Sequence, residues 1–244
     1  MDTESKAIEE SAKAVQEVAK TTNKLIDTGK AFGKYFKAPT EQIIGIWEDN
    51  LKFKRLENQL KLIQKADKKL KDLGLKTPTN QIPIKFAIPL LESASFEDDE
   101  YLQNLWVNLL INSSIDENKY TLERSHISIL EQLTNLEARI LITIYSNNYN
   151  QSNKIYNIKT HMLPDKIEYS IEEPWSFESA INSRDDTINN SKKEKYICPP
   201  HEIKLALANL SRLLCINFPI TDGAECFNIV HPTLFGARLY EAVK

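Results

Sequence analysis

The sequence predicts a mainly α-helical protein: an N-terminal α-helical bundle with a long amphipathic first helix, then a winged-helix-like C-terminal module with a small β-ribbon. Three observations lead there. Apolar residues recur at heptad spacing from Ser5 to Phe36. Helical patterns rich in Leu, Ile and Trp continue to about Ser125, joined by short connections. The stretch "LANLSRLLCINFPIT…FNIVHPTLFGARLYEAV", Leu207 to Val243, reads as helix, short ribbon, helix. The expected organisation is an amphipathic heptad arm over 1–38, a helical bundle over 39–125, and the winged-helix-like module over 126–244 with a polar insertion at about 147–200.

The arm comes first. Ile8, Val15, Thr22, Gly29 and Phe36 form one heptad column; Ser11, Val18, Leu25 and Phe32 form the other. That pattern lays a narrow apolar stripe along a helix of about nine turns. Small residues dilute the stripe, so it needs a partner. Pro39 blocks a simple continuation. A second helix is expected from Thr40, its N-cap, to about Leu73, with Gly74 as its stop. Its second half is basic: residues 50–76 hold nine Lys/Arg against three acids, a net +6.

"IKFAIPLLESA" predicts a short buried helix with Pro89 near its start or kinking it. In "SFEDDEYLQNLWVNLLINSS" the expected capping box is Ser95 with Asp98, and Leu102, Leu105, Trp106, Leu109 and Leu110 form the apolar face. Beyond His126, "HISILEQLTNLEARILITIYSN" supplies one or two helices, the second capped by Thr134 with Glu137 three residues on. Residues 147–200 show neither helical period nor alternation, and a connection this long is functional or partly disordered. A helix over Pro200–Leu214, a strand at "FNIVHPT" and a helix at "LFGARLYEAV" close the chain.

Composition narrows the function. The chain has 244 residues, 41% apolar and 27% charged, ordinary for a globular protein. Six scattered glycines leave no glycine-rich loop to wrap a phosphate. A net charge of −3 is not that of a protein-wide nucleic-acid binder. Three cysteines and an acidic, polar start fit a reducing cytoplasm, with no apolar run near the ~20 residues a span requires.

Three stretches, "FKRLENQLKLIQKADKKLKDLGL", "IPIKFAIPLLESASFEDDEYLQNLWVNLLINSS" and "ILEQLTNLEARIL", resemble the abortive-infection alpha (Abi-alpha) family of bacteria, a domain of unknown function. The likeness is most specific from Phe53 to Ser114. It is looser at "LANLSRLLCI" and "TLFGARLYEA" and over the N-terminal heptads. The resemblance implies a role in bacteriophage defence, in a family with no established catalytic residues. The chain departs from the family pattern in carrying Leu214 where a glycine is favoured, and in the length of the 147–200 segment.

Candidate chemistry is sparse. A DNA-reading helix over Pro200–Leu214 would offer His201, Lys204, Asn209 and Arg212. Yet from His126 onward twelve Lys/Arg face fourteen Asp/Glu, a net −2 that opposes phosphate binding. Nucleic acid is therefore a less favoured partner. Lys54, Arg55, Lys61, Lys65 and Lys68 on the second helix are the better electrostatic footprint, for an acidic partner or an anionic surface. Phe32 and Phe36, amid Lys30, Lys34 and Lys37, suit packing or self-association, with peripheral membrane contact as the alternative. Trp175 and Phe177 in the insertion are candidate protein contacts. Cys198, His201, Cys215, Cys226 and His231 lack the ligand spacing of a structural zinc site. His126 and His161 have no identifiable acidic partner, and no nucleophile motif occurs. The expected protein is cytoplasmic and acts by binding, through a protein partner or self-association, with no cofactor, metal, small-molecule substrate or intrinsic catalysis assigned.

Overall fold

The computed structural model describes residues 34–37, 53–115, 122–146, 157–170, 198–221, 224–225 and 227–244. Seven helices and a small antiparallel sheet are found among them. The chain divides into two compact units, Met1–Glu131 with Val243, and Gln132–Ala242 with Lys244.

The first unit is built on helices α1 (Phe53–Asp72), α2 (Ile84–Ser95), α3 (Glu100–Ser113) and α4 (Arg124–Gln132). Leu62, Ile63, Ala66 and Leu70 of α1 are buried, as are Ala87, Leu90, Leu91 and Ala94 of α2 and Leu102, Leu105, Trp106, Leu109 and Leu110 of α3. The apolar face expected of α3 is thus its core face. Helix α1 ends at the glycine that the sequence marks as its stop. Gly74 has φ +75°, its N–H donates to Lys71 O and the Leu75 N–H donates to Leu70 O. This double bond pattern satisfies two carbonyls left over at a helix end, and glycine enters the left-handed region without a Cβ penalty.

Two expectations for this unit need correction. The heptad run predicts helix through Phe36, but residues 34 and 35 form a turn. Phe36–Lys37 is a short strand, β1, parallel to β2 (Ile82–Pro83). Tyr35, in neither heptad column, is fully buried and donates its hydroxyl to Asp67 Oδ1 at 3.0 Å, while its carbonyl accepts from Ile82 N at 2.7 Å. Tertiary partners take the backbone group that a helix would have used internally. The rest of the predicted arm, and the expected start of the second helix at Thr40, lie outside the described residues.

The second correction concerns the cap of α3. Ser95 is the last residue of α2; its hydroxyl donates to Glu92 O and accepts from Arg55 Nε. Asp99 caps α3 instead, accepting from Leu102 N at 3.0 Å, and Glu97 Oε1 accepts from Asp99 N. The chain uses residues 96–99 to reverse direction, which moves the helix start beyond the expected box. Pro89 sits inside α2, as expected.

The second unit holds α5 (Asn135–Ser146), α6 (His201–Arg212) and α7 (Leu234–Val243). Its four-stranded sheet has the order β4 (Glu168–Ser170), β3 (Asn157–Lys159), β8 (Ile229–Pro232), β5 (Ile216–Asn217), and β6 (Ile220–Thr221) pairs with β7 (Ala224–Glu225). The capping box at α5 forms as expected: Thr134 N donates to Glu137 Oε2, and Glu137 N donates to Thr134 Oγ1. The polar segment, in contrast, is not featureless. It supplies β3 and β4, with Ile158 paired to Tyr169 on one side and to Val230 on the other. Strands of three residues place only Ile158 and its neighbours in register, too few for an alternating pattern to show.

Helix α6 ends in the same double bond pattern as α1. Leu214 N donates to Ser211 O and Cys215 N to Leu210 O, with Leu214 at φ +59° and 62% exposed. Here a leucine occupies the glycine position. Left-handed backbone costs an L-residue about 1–2 kcal/mol. Glycine's greater freedom when unfolded offsets about 0.4–1 kcal/mol of that. Leu214→Gly is therefore expected to stabilise the protein by about 1 kcal/mol net. Thermal unfolding checks this, and an unchanged or lowered midpoint counts against the cap geometry.

Candidate interaction surfaces

Charge on α1 is the first candidate surface, and its cations divide into two groups. Arg55 donates from Nε to Ser95 Oγ at 3.1 Å, and its guanidinium stacks over Phe96 at 3.9 Å. Lys61 pairs with Glu57 one turn earlier on the same helix. Lys65 donates to Asn104 Oδ1 at 2.9 Å and Gln103 Oε1 at 3.3 Å, with Glu100 at 3.8 Å. Lys69 donates to Asn108 Oδ1, and burial pushes its ammonium pKa below the ordinary value. These groups face the unit's own amides and carboxylates. Lys68 and Lys71, and Lys76 beyond the helix end, are exposed.

The other predicted site residues fall outside this account. Lys54 lies in α1 and Phe36 in β1, and their side chains are outside the described residues, as are Phe32, Trp175 and Phe177 entirely. The structure thus brings together Arg55, Lys61, Lys65 and Lys68 on one helix. Sequence reasoning missed Phe96, 64% exposed beside Arg55, and Leu73, 53% exposed beyond the end of α1. The signal was present: each is an apolar residue next to a charged one at a helix end.

The same unit carries polar seams that fix helix order. Asn58 donates to Ser95 O and Asp98 Oδ1, Lys65 reaches Gln103 and Asn104, and Lys69 reaches Asn108. Contacts that advance together along both helices mean that α1 and α3 run parallel, with α2 returning the chain between them.

In the second unit, the DNA-reading candidates on α6 are largely occupied. Asn209 Nδ2 donates to Glu137 Oε1 at 2.7 Å. Arg212 donates to Asn209 Oδ1 from Nε and Nη2, and to Gln132 Oε1 from Nη2. Asn209 thereby spends both ends of its amide inside the unit. His201 is exposed and Lys204 half-buried.

A second hub joins α5 to the N-terminus of α7. Tyr145 donates its hydroxyl to Cys215 O and accepts from Thr233 N at 2.9 Å. Thr233 caps α7: its hydroxyl accepts from Gly236 N at 3.0 Å and donates to Leu214 O at 2.7 Å. Tyr145 also stacks on Tyr240, with centroids 6.2 Å apart.

The remaining titratable groups separate in the same way. Cys215 is buried, and desolvation pushes its thiol up to about 12, so it is a core residue without thiolate character near neutrality. Cys198 is exposed, and Cys226 lies outside the described residues. Among the described residues no three of His, Cys, Asp and Glu are grouped to hold a metal ion. His161, given no acidic partner by the sequence, stands 3.6 Å from Glu168 Oε2. Lys159 donates to that carboxylate at 2.9 Å and chiefly holds its pKa below the ordinary range, with His161 contributing. Strand pairing across β3 and β4 brings these residues together, which sequence spacing alone does not reveal. Among the described residues no helix is long and apolar enough to cross a membrane.

Comparison with known proteins adds one finding. The family model described as abortive infection alpha matches residues 54–243. No curated protein and no solved structure matches the chain.

Proposed function

Because this chain belongs to the abortive infection alpha family, we propose that it serves in bacteriophage defence and does so by binding, as sensor, adaptor or effector, without chemistry of its own. The observation that carries the binding reading is the commitment of polar side chains to internal partners. Asn209 and Arg212, the base-reading candidates of α6, are tied to Glu137 and Gln132. Arg55, Lys61 and Lys65 of α1 are tied to their own unit. Both arrangements weaken a nucleic-acid reading, which needs cations to meet phosphates. In this proposal the second unit is winged-helix-like: α6, the pair β5–β8 with the β6–β7 hairpin between them, then α7. It acts as a protein-contact platform in the cytoplasm. The arm over 1–38 self-associates, the exposed lysines of α1 meet an acidic partner, and Trp175 and Phe177 contact protein.

Phage challenge of a bacterial host tests this reading, with survival and membrane potential scored together for the full chain and for a chain lacking residues 1–38. Protection by the full chain without depolarisation is the expected result. Depolarisation that disappears on changing Phe32 and Phe36 to Glu transfers the function to the membrane. Salt-sensitive binding to DNA, lost when the α1 lysines are neutralised, transfers it to nucleic acid.

A further inference from the structure

The parallel packing of α1 and α3 gives the first unit two unlike ends. At one end Phe96 is 64% exposed, with Arg55 stacked on its ring and Glu92, Glu97, Asp98, Asp99 and Glu100 within four residues of it in the sequence. At the other, Leu73 is 53% exposed, with the exposed Lys68, Lys71 and Lys76 near it in the sequence and Asp72 as the opposing charge. Arg55 and Leu73 are separated by about 27 Å along the helix, at 1.5 Å per residue. Helix dipoles favour acids at the start of α3 and lysines at the end of α1, so they account for the signs of the charges. They do not account for an exposed phenylalanine and an exposed leucine, one at each end. An exposed aromatic stacked by an arginine has the composition of an interface anchor, and a charged rim of one sign selects a partner of the other.

We propose that these two ends are the halves of one joint, in which the basic Leu73 end of one copy docks on the acidic Phe96 end of a second copy. This rests on reading α1 as a docking surface for an acidic partner, and it names that partner. The second copy is favoured because the required counterpart, an apolar side chain inside a rim of opposite charge, is present on the same body. The joint pairs unlike surfaces, so damage to either surface breaks it, while two differently damaged copies retain one good joint between them. That complementation separates it from an arm-mediated association, which is apolar and leaves both ends untouched.

Sedimentation velocity of the full chain provides the test. At low ionic strength the wild-type protein is expected to sediment faster as its concentration rises, and to return to its smallest species near 1 M salt, where the Debye length is about 3 Å. Lys68→Glu with Lys71→Glu, and separately Phe96→Ala, are each expected to abolish the salt-sensitive part of this growth. Their equal mixture is expected to restore a complex of one copy of each, because the acidic end of the first still meets the basic end of the second. Both sites are exposed, and an unchanged unfolding midpoint confirms that folding is intact. Wild-type sedimentation that does not change with concentration overturns the joint, as does a mixture no larger than its components. Loss of phage protection in the lysine variant with unaltered sedimentation also overturns it, but leaves an acidic partner of another kind, and with it the proposed function, standing.

Discussion

Gly236→Ala is expected to destabilise the second unit by about 3–5 kcal/mol, from overpacking together with a disturbed hydrogen-bond hub. A methyl group at this position would collide with Cys215 O and with the Tyr145 hydroxyl, and would lie 2.7 Å from Tyr145 Cζ. None of these neighbours can easily withdraw. The carbonyl is backbone just before β5, and it accepts from the Tyr145 hydroxyl. Tyr145 is held by its bond from Thr233 N and by its stacking on Tyr240. Moving α7 away would in turn break the cap between Thr233 and Gly236. Thermal unfolding should show a midpoint lower by about 10 °C, given about 2–4 °C per kcal/mol for a chain of this size. The same substitution in a Tyr145→Phe background should cost less than the two single changes together, since one of the two collisions has been removed. A midpoint within about 1 °C of wild type in the single variant would show that the close approach is not rigid.

The contrast between Gly236 and Gly74 shows how far the sequence is legible. Gly74 follows a helical run and ends it, so local pattern suffices to assign its role. Gly236 lies within a helix, where its lack of a side chain matters because β5 and α5, distant in sequence, converge on it. The same division recurs elsewhere. The capping box of Thr134 and Glu137 is readable from residues three apart, whereas the bond from Asn209 to Glu137 joins positions 72 apart and is not. The basic run on α1 is plain in the sequence. That Lys65 and Lys69 turn toward Gln103, Asn104 and Asn108 follows only from the parallel packing of α1 and α3. Likewise, β3 and β4 are too short to announce themselves and are defined by Val230 on a neighbouring strand. Local chemistry thus identified most helices and several of their ends, while the candidate surfaces depended on which of those charges the fold consumes.

Glu137→Ala is expected to cost about 2 kcal/mol, through the cap it removes and the partly buried donor it leaves without an acceptor. Glu137 is 6% exposed, and each carboxylate oxygen has a separate role. Oε2 accepts from Thr134 N at 2.6 Å and closes the cap of α5; Oε1 accepts from Asn209 Nδ2 at 2.7 Å and fastens α5 to α6. Loss of a cap alone costs about 1 kcal/mol, and the half-buried Asn209 amide left without its acceptor adds about 1 kcal/mol, the low end of the range for a buried group. Glu137→Gln is not a neutral replacement. It can keep the bond from Thr134 N, but its own NH2 would then face the Asn209 NH2, and Asn209 cannot turn over while Arg212 holds its Oδ1. About half of the alanine variant's loss should therefore remain. Asn209→Ala strands the same carboxylate oxygen from the other side, so the double variant with Glu137→Ala should lose markedly less than the two singles added together. Denaturant unfolding of the four proteins gives this coupling directly, and strict additivity would mean that the bond contributes nothing. Asn209→Ala combined with Gln132→Ala releases Arg212 from both of its internal partners without changing the charge of the chain. If α6 were a DNA-reading helix held in check by this network, the release should create salt-sensitive DNA binding. In a unit built for protein contact, it lowers stability and DNA binding stays absent.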